Sequence, residues 1–429
     1  MFRNLVSVSF ILAMSVLSIS GTVSAEDQSK GWTADPDLVK KFESRSSSNN
    51  GGRDFIYSEE KVPEYSLPDI LTTDAGEKVT TVKEWESTRR PEILELFRKH
   101  VYGRNPVGRP EQMSFDVYDV DPKAMDGKAT RKQVKITFEN NGKSLSVNVV
   151  IFIPNDAEHP VPAYLLICNR DKTNIDPTRE NKIEYWPAEE IVARGYAAVA
   201  FHNADIDPDD YDKFQNGIHG VLDEGERHDD AWATLAAWAW GASRVLDYLE
   251  TDRMIDAEHV AVVGHSRGGK TSLWAGATDE RFAMVVSNNS GCGGAALSRR
   301  QYGETVGRIN RAFPHWFCEK FSEYNENESE IPVDQHMLLA LAAPRLLYVT
   351  SANEDLWADP RGEFLSCKEA STAYEIYGKT GLGTNQIPAL NEPVQQGNIG
   401  YHVRSGGHGL TLYDWTQFMN FTDKHWKKR

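Results

Sequence analysis

Basic residues are the minority charge in this chain of 429 residues. Lysine and arginine together number 47, against 63 aspartates and glutamates, which gives a formal net charge of −16. Nucleic-acid binding requires a basic surface that neutralises phosphates, so this balance argues against a nucleic-acid partner. An acidic balance fits a soluble protein exported from the cytoplasm, but by itself it indicates no chemistry.

Long apolar runs are also missing beyond the amino terminus. No later segment reaches the ~18 consecutive apolar residues that a membrane helix requires. The terminus itself has the pattern of a secretory signal peptide: Arg3 is positive, Leu5 to Ile19 is mostly apolar, and residues 23–25 are small. We expect residues 1–25 to be cleaved and the mature chain, beginning near Glu26, to be secreted or periplasmic and free of the membrane.

Cysteine is scarce. Export permits disulfides, and four cysteines allow three pairings. The alternative is that they are buried free thiols, and the sequence does not choose between these arrangements. Neither C-x-x-C nor H-E-x-x-H occurs, so we predict no metal site. The four residues are Cys168, Cys292, Cys318 and Cys367.

Strand and helix patterns alternate along most of the chain. Residues 26–60 are rich in Ser, Asn, Gly and charge and are predicted to be a flexible N-terminal segment, whereas residues 61–429 are predicted to form one domain. The alternation predicts a mostly parallel central sheet covered on both faces, a three-layer αβα sandwich. Predicted strands are 133–138, 144–153, 161–168, 196–201, 259–263, 283–287, 346–350 and 399–404; predicted helices are 230–250, the stretch after Ser266, and 411–426.

A polar and less regular stretch near 299–330 separates two of the predicted core strands. Such an insertion would lie over the carboxyl ends of the strands, where α/β sheets bind ligands. Its aromatic residues are Tyr302, Phe313, Trp316, Phe317, Phe321 and Tyr324.

Residues 264–268, Gly-His-Ser-Arg-Gly, match the pattern G-x-S-x-G. An apolar β-branched run precedes the motif and a helix-compatible stretch follows it. Glycines permit the sharp strand-to-helix turn that exposes the serine oxygen above the sheet, and the helix amino terminus offers N–H groups to an oxyanion. We therefore predict Ser266 as a nucleophile on an α/β-hydrolase fold.

A nucleophilic serine requires a base and an acid, which in this fold follow it in the order acid, then histidine. His408 lies in a glycine-rich loop before the last predicted helix and is the predicted base. The loop after the strand 346–350 offers three carboxylates. We favour Asp355, with Glu354 as the alternative, whereas Asp359 before a proline is suited to capping a turn.

Two cations accompany the serine. Arg267 follows it directly, so its backbone N–H is the expected oxyanion donor. Lys270 lies one helical turn on and should face the same way as Ser266. Together they suggest an oxygen-rich substrate or a strongly stabilised oxyanion.

Residues 264–270, GHSRGGK, resemble the G-x-S-R-x-G-K signature of the glucuronoyl esterases of carbohydrate esterase family 15. The similarity extends to residues 237–244 (AWAWGASR), 289–294 (NSGCGG), 343–345 (APR) and 354–360 (EDLWADP). It thus covers most of residues 80–429.

The resemblance implies a serine esterase that cleaves esters of glucuronic or 4-O-methylglucuronic acid, such as those thought to join glucuronoxylan to lignin alcohols. It implies that Arg267 stabilises the oxyanion with backbone and side chain. It further implies that Lys270 bonds sugar hydroxyls, that Glu304 contacts the uronate hydroxyls, and that Trp357 contacts the sugar.

Two departures limit the resemblance. Fungal members have a catalytic glutamate where this chain has Asn289, which favours an acid on the later loop, as in many bacterial members. Fungal members also have cysteines at the positions of His265 and Gly409, so their disulfide is absent here. The family's disulfide pattern is therefore not transferred.

The expected reaction is two-step acyl transfer through Ser266 and His408, with no cofactor. We expect a monomer that acts on glucuronoxylan or lignin–carbohydrate esters in xylan degradation. The alternative on the same fold is an acetyl xylan esterase or another carbohydrate esterase; more distant ones are a peptidase and a non-catalytic binding module.

Overall fold

The structure, a computed structural model, describes residues 31–46 and 55–427. The predicted signal peptide, residues 1–25, lies outside these ranges. The predicted flexible segment 26–60 overlaps the described ranges in part, and the described part contains a helix and buried side chains. Pro36–Ser46 form helix α1, and Trp32, Phe55 and Tyr57 are buried in the main core. Their aromatic surface ties this part of the segment to the domain.

Nine strands form one sheet. Their order is β1-β2-β3-β5-β4-β6-β7-β8-β9. The pairs among β1, β2, β3 and β5 are antiparallel, and all pairs from β5 to β9 are parallel. The strands are β1 Met113–Lys123, β2 Ala129–Asn140, β3 Lys143–Pro154, β4 Val161–Cys168, β5 Ala197–His202, β6 Ile255–His265, β7 Met284–Asn288, β8 Leu346–Ala352 and β9 Ile399–Arg404.

The remaining helices connect and cover these strands. The α-helices are α2 Val82–Glu84, α3 Arg90–Phe97, α4 Ala124–Gly127, α5 Ala188–Ala193, α6 Gly217–Leu222, α7 Thr234–Leu249, α8 Arg267–Thr278, α9 Val306–Ala312, α10 Gln335–Ala340, α11 Pro360–Ile376 and α12 Leu412–Trp426. Two π-helical turns, Trp85–Arg89 and Arg98–Tyr102, flank α3. Short 3₁₀ turns are Glu59–Lys61, Lys172–Ile175, Asn203–Asp205, Ser298–Arg300, Glu319–Tyr324, Glu328–Glu330 and Leu356–Ala358.

Each central strand buries side chains on both faces of the sheet. In β6, Val260 and Val262 belong to the larger apolar cluster, and Ala261 and Val263 to the smaller one on the opposite face. This alternation follows from the period of two along a strand. A parallel strand covered on both sides therefore reads as a continuous apolar run, which is why these strands could be predicted.

The predicted helix 230–250 is shorter and more deeply buried than its pattern indicates. It begins at Thr234, and all of its residues to Leu249 are buried. Its first N–H groups, of Thr234 and Leu235, donate to the carbonyls of His315 and Trp316, so the 299–330 stretch covers its start. The helix has an amphipathic sequence pattern, but tertiary contacts bury all of its faces.

The elements that were not predicted from the sequence include β1, α11 and the helical stretch around α3. The outward-facing Val117, Tyr118 and Val120 give β1 an exposed apolar character that obscures the alternation expected of an edge strand. Helix α11 begins at Pro360 behind its N-cap Asp359. Since proline is favoured in the first helical turn, that dipeptide was a usable signal.

All four cysteines are buried free thiols. Of the arrangements that the sequence left open, this is the one without a disulfide. Among the helices of residues 31–46 and 55–427, none combines the length and apolar character that a bilayer crossing requires.

The register of the parallel strands brings the ends of four of them to one edge. His265 of β6 pairs with Asn288 of β7, Asn288 with Thr350 of β8, and Thr350 with His402 of β9. Chain segments that continue past this row therefore emerge side by side. They carry the predicted site residues, as expected for the carboxyl edge of an α/β sheet.

Candidate active site

Ser266 occupies a strained turn between β6 and α8. Its backbone has φ 57° and ψ −122°, a positive φ that non-glycine residues rarely adopt. A Cβ at Gly264 would lie 1.8 Å from the carbonyl oxygen of Gly268, and one at Gly268 would lie 3.2 Å from that of Ile167. The turn therefore leaves no room for a side chain at Gly264 and little room for one at Gly268. It has the geometry of a nucleophile elbow, with the amino terminus of α8 beside the serine.

His408 and Asp355 meet beside this elbow. His408 Nδ1 and Asp355 Oδ2 are 2.6 Å apart, and the carboxylate is buried whereas the imidazole is partly exposed. Glu354, the alternative acid, is exposed, and its backbone N–H donates to the Gly406 carbonyl. Of the two carboxylates left open by the sequence, Asp355 is the one hydrogen-bonded to the predicted base.

Asp359, the third carboxylate of this loop, has another role. Its Oδ1 accepts from the Gly362 N–H at the start of α11, and its Oδ2 accepts from Arg300 Nε at 2.9 Å. It caps a helix and pairs with a buried arginine. The capping agrees with the expectation from the sequence, whereas the arginine is an additional partner from a distant segment.

His265 is the side chain that connects the elbow to His408. The two imidazole ring centroids lie 4.5 Å apart. Arg170 Nη2 donates to His265 Nε2 at 2.9 Å, so His265 Nδ1 carries the proton and donates to Asn288 Oδ1 at 2.5 Å. Burial lowers the pKa of His265 well below its ordinary value, and the neighbouring His408 and Arg170 add to the effect. A neutral ring therefore packs against His408.

Asn289, on the loop after β7, takes part in the same network. Its Nδ2 donates to Asp355 Oδ2 at 2.9 Å, the oxygen that also faces His408. Its φ of 47° and the bond from its N–H to the Thr350 carbonyl fix the amide in this place. An amide here supports the carboxylate of the later loop and does not replace it.

Lys270, which is buried, and Glu304, which is half-buried, carry opposite charges within electrostatic reach of each other. Lys270 is buried and its Nζ donates to the Ser290 carbonyl at 2.5 Å. Burial lowers the pKa of Lys270, and the charge of Glu304 opposes this shift. Burial likewise raises the pKa of Glu304, against the opposing charge of Lys270. The predicted sugar-contacting residues therefore influence one another electrostatically.

Trp357 joins this group through Glu304. The Glu304 N–H donates to the Trp357 carbonyl at 3.1 Å, and the neighbouring Trp357 side chain acts to lower the pKa of Glu304, against the effect of burial. The indole is half-buried and meets Phe55 edge to face, with ring centroids 4.8 Å apart. Part of the ring thus packs on the N-terminal segment, and part remains open.

Arg267 is held by Asp209 and Trp316, neither of which was predicted to be a site residue. Its Nη1 forms an ion pair with Asp209, on the loop after β5, and its guanidinium carbon lies 4.7 Å from the Trp316 ring centroid. Asp209 belongs to an acidic run, residues 205–212, that follows the carboxyl end of a core strand. The rule that ligands bind at that edge would have drawn attention to it.

Glu363 is a second unpredicted carboxylate, fully buried behind the site. Its Oε1 accepts from the N–H groups of Ser290 and Gly291, and its Oε2 accepts from Ser351 Oγ at 2.6 Å. Burial raises its pKa to about 8. It fastens the loop after β7 to α11 and β8. No local motif marks it, because its partners are distant in the chain.

The sheet order and the serine elbow at the end of β6 place the chain among the α/β-hydrolases, which confirms the predicted fold class. A family model of fungal glucuronyl esterases matches residues 136–378. The chain is also 42% identical over 424 residues to a carbohydrate esterase of an unknown prokaryotic organism, covering 92% of this chain and 95% of that protein.

Two further comparisons agree. The 4-O-methyl-glucuronoyl methylesterase of Schizophyllum commune is 29% identical over 323 residues, covering 73% of this chain and 74% of that enzyme. The solved structure of a glucuronoyl esterase from Solibacter usitatus is 40% identical, with a TM-score of 0.81 over 86% of this chain and 100% of that one. The chain belongs to the glucuronoyl esterase family, which confirms the resemblance read from its motifs.

Proposed function

We propose that this protein hydrolyses esters of glucuronic acid or 4-O-methylglucuronic acid through an acyl-enzyme on Ser266. The observation that carries the proposal is the pairing of a serine elbow with buried Lys270 and half-buried Glu304. A cationic donor and a carboxylate acceptor beside the nucleophile suit a substrate rich in hydroxyl groups. Family membership and the printed activity of the fungal relatives support the same substrate class.

The first half of the reaction acylates the enzyme. Ser266 Oγ attacks the uronoyl carbonyl carbon as His408 Nε2 takes the hydroxyl proton, and the carbonyl electron pair moves to oxygen. Asp355, 2.6 Å from His408 Nδ1, stabilises the imidazolium and fixes its orientation. The tetrahedral intermediate then expels the alcohol, which receives its proton from His408.

The second half regenerates the serine. Water attacks the acyl carbon while His408 takes one of its protons. The bond to Ser266 Oγ then breaks, and the proton returns to the serine. The released glucuronate carries a new negative charge close to Arg267.

Arg267 stabilises the oxyanion in both halves. Its backbone N–H begins α8, where the helix dipole is positive, and its side chain adds a cation. Removing one oxyanion donor in hydrolases of this kind costs about 10²–10³-fold in kcat. Lys270, Glu304 and Trp357 are proposed to bind the sugar ring and its hydroxyls.

The biological setting is also a proposal. The predicted signal peptide, residues 1–25, favours secretion or a periplasmic location, with glucuronoxylan or lignin–carbohydrate esters as substrates. Amino-terminal sequencing of the exported protein should show cleavage after Ala25. Light scattering of that protein should report a monomer.

A substrate comparison tests the proposed activity. Methyl glucuronate and benzyl glucuronate should be hydrolysed faster than the galacturonate epimer, since the sugar hydroxyls are recognised, and acetyl esters should be poor substrates. Ser266→Ala should abolish turnover, because no other group is proposed to form the acyl-enzyme. Turnover of acetyl esters without turnover of glucuronate esters would refute the proposal in favour of an acetyl esterase.

A further inference from the structure

The Asp209 carboxylate is bound by three side chains from two distant parts of the chain, through one ion pair and two hydrogen bonds. Its Oδ2 pairs with Arg267 Nη1. Its Oδ1 accepts from His315 Nε2 at 3.0 Å and from Trp316 Nε1 at 2.8 Å. Asp209 lies after β5, Arg267 after β6, and the two aromatic donors in the 299–330 stretch. One carboxylate thus links the predicted oxyanion residue to the insertion above the sheet.

Trp316 holds Arg267 in a second way. The indole that donates to Asp209 also lies under the guanidinium, 4.7 Å from ring centroid to the arginine carbon. That indole is buried and is itself stacked on Phe313, with ring centroids 3.7 Å apart and planes 3° apart. The guanidinium therefore has one edge on a carboxylate and one face on a rigid aromatic pair.

The negative charge of Asp209 does not by itself favour the proposed reaction. Burial opposes its ionisation, but the bond from His315, the charge of Arg267 and the bond from Trp316 keep the pKa of Asp209 below its ordinary value. The carboxylate is therefore anionic at neutral pH. An anion beside Arg267 weakens the pull of that cation on an oxyanion, so its contribution must be positional.

We propose that Asp209 is a positioning residue that, with Trp316, holds the Arg267 side chain where the oxyanion forms. An unrestrained arginine would lose rotamer freedom on reaching the transition state, whereas a clamped one has already lost it on folding. The inference rests on the proposed function, since it presumes acyl transfer at Ser266 with stabilisation by Arg267.

Kinetics of Asp209→Asn test the role. The amide retains size but cannot form the ion pair, so kcat on methyl glucuronate should fall about 10- to 100-fold with little change in KM, less than the loss expected for a deleted donor. Asp210→Asn is the matched control, because Asp210 is the exposed neighbour and loses the same charge. The control should stay within about twofold of the wild type, as surface substitutions usually do.

A double-mutant cycle distinguishes a positioning role of Asp209 from a purely structural one. If Asp209 acts through Arg267, the loss in kcat from Asp209→Asn should vanish once Arg267→Met is present. A structural contribution would instead add to the loss of Arg267→Met. Additive losses, or equal kcat for Asp209→Asn and Asp210→Asn, would overturn the inference.

A covalent probe keeps this test separate from the substrate question. The rate at which a fluorophosphonate labels Ser266 depends on stabilisation of its phosphonyl oxygen. The labelling rates of the same variants should therefore show the same non-additivity as kcat. If the wild type hydrolyses only acetyl esters, the proposed function fails while the cycle is still measured on those esters and on the probe. A wild type inert to every ester and to the probe would overturn both proposals.

Discussion

At the scale of single residues, the contact between His408 and Asp355 is the clearest result. Two adjacent carboxylates, Glu354 and Asp355, differ by one position in the chain, yet one is exposed and the other is buried against the imidazole. Asn289 contributes a donor to the same oxygen of Asp355. This arrangement keeps an acceptor facing His408 Nδ1, as an acid that orients the base requires.

Replacing the two acids should therefore have very different effects. We expect Asp355→Asn to lower kcat on methyl glucuronate about 10³- to 10⁴-fold, because an amide can impose the wrong imidazole tautomer and cannot stabilise the imidazolium. Glu354→Gln, its neighbour on the surface, should stay within about twofold. Steady-state kinetics of both variants give the answer, and the reverse order of losses would show that Glu354 is the acid.

At the scale of elements, the turn from β6 to α8 depends on how closely two backbone segments approach. Gly264 ends the apolar part of β6 against the first turn of α8, and Ser266 adopts its positive φ between them. Close packing here leaves no room for a methyl group. The strain at the serine is thus held by the elements on either side of it.

Gly264→Ala should be strongly destabilising. The new Cβ would lie 1.8 Å from the Gly268 carbonyl oxygen, so strand and helix must separate. We expect a loss of about 3 kcal/mol in the free energy of unfolding, the upper part of the range for overpacking. Gly407→Ala, beside His408 with open space around its Cβ, should change this free energy by less than about 0.5 kcal/mol. Urea unfolding measures both, and equal midpoints would contradict the close approach.

At the scale of the whole molecule, buried polar groups connect segments that are far apart in sequence. Glu363 of α11 bonds the loop after β7 and Ser351 of β8. All four cysteines lie in the interior as thiols. Stability should therefore respond to pH through buried acids, and it should not respond to reductant.

The pH dependence of Glu363 has a definite sign. Burial raises its pKa from 4.5 to about 8, so between these values the folded chain binds a proton that the unfolded chain has released. The folded state is therefore most stable, with respect to this group, at low pH, and its free energy of unfolding decreases as the pH rises towards 8. Glu363→Gln mimics the protonated acid, so its unfolding temperature should match the wild type near pH 5 and exceed it near pH 9.

The control for this comparison is Glu330→Gln, which removes the same charge at an exposed position. Because Glu330 is exposed, its replacement should change the stability by no more than about 0.5 kcal/mol at either pH. A Glu363→Gln variant less stable than the wild type at pH 9 would contradict a raised pKa, since it would mean that the folded protein stabilises the carboxylate.

Thiol chemistry provides an independent check on the interior. Unfolding without reductant should expose four reactive thiols per chain, and added reductant should leave the unfolding temperature unchanged. One disulfide would contribute about 2–4 kcal/mol, which reductant would remove. Two titratable thiols instead of four would show that one pair is bridged.

Local patterns in the sequence were sufficient to predict eight of the nine strands, the serine turn and the family. The predicted bounds of Val161–Cys168 are those of the structure, because a strand buried on both faces is a local apolar run. The bounds of Ile399–Arg404 also agree, although this strand contains His402 and Arg404. The motif at 264–268 likewise depends on adjacent residues only. Such signals act over a few positions, so they survive in a sequence without knowledge of the fold.

Which side chains meet, in contrast, depends on how the chain is folded. The tertiary structure brought Asp355 rather than Glu354 to His408, kept the cysteines apart as free thiols, and placed Asp209 against Arg267, which lies 58 positions further along the chain. These contacts depend on strand order and register across the sheet. Since no local pattern encodes the distance between remote residues, the arrangement of the site could be established only once the chain was folded.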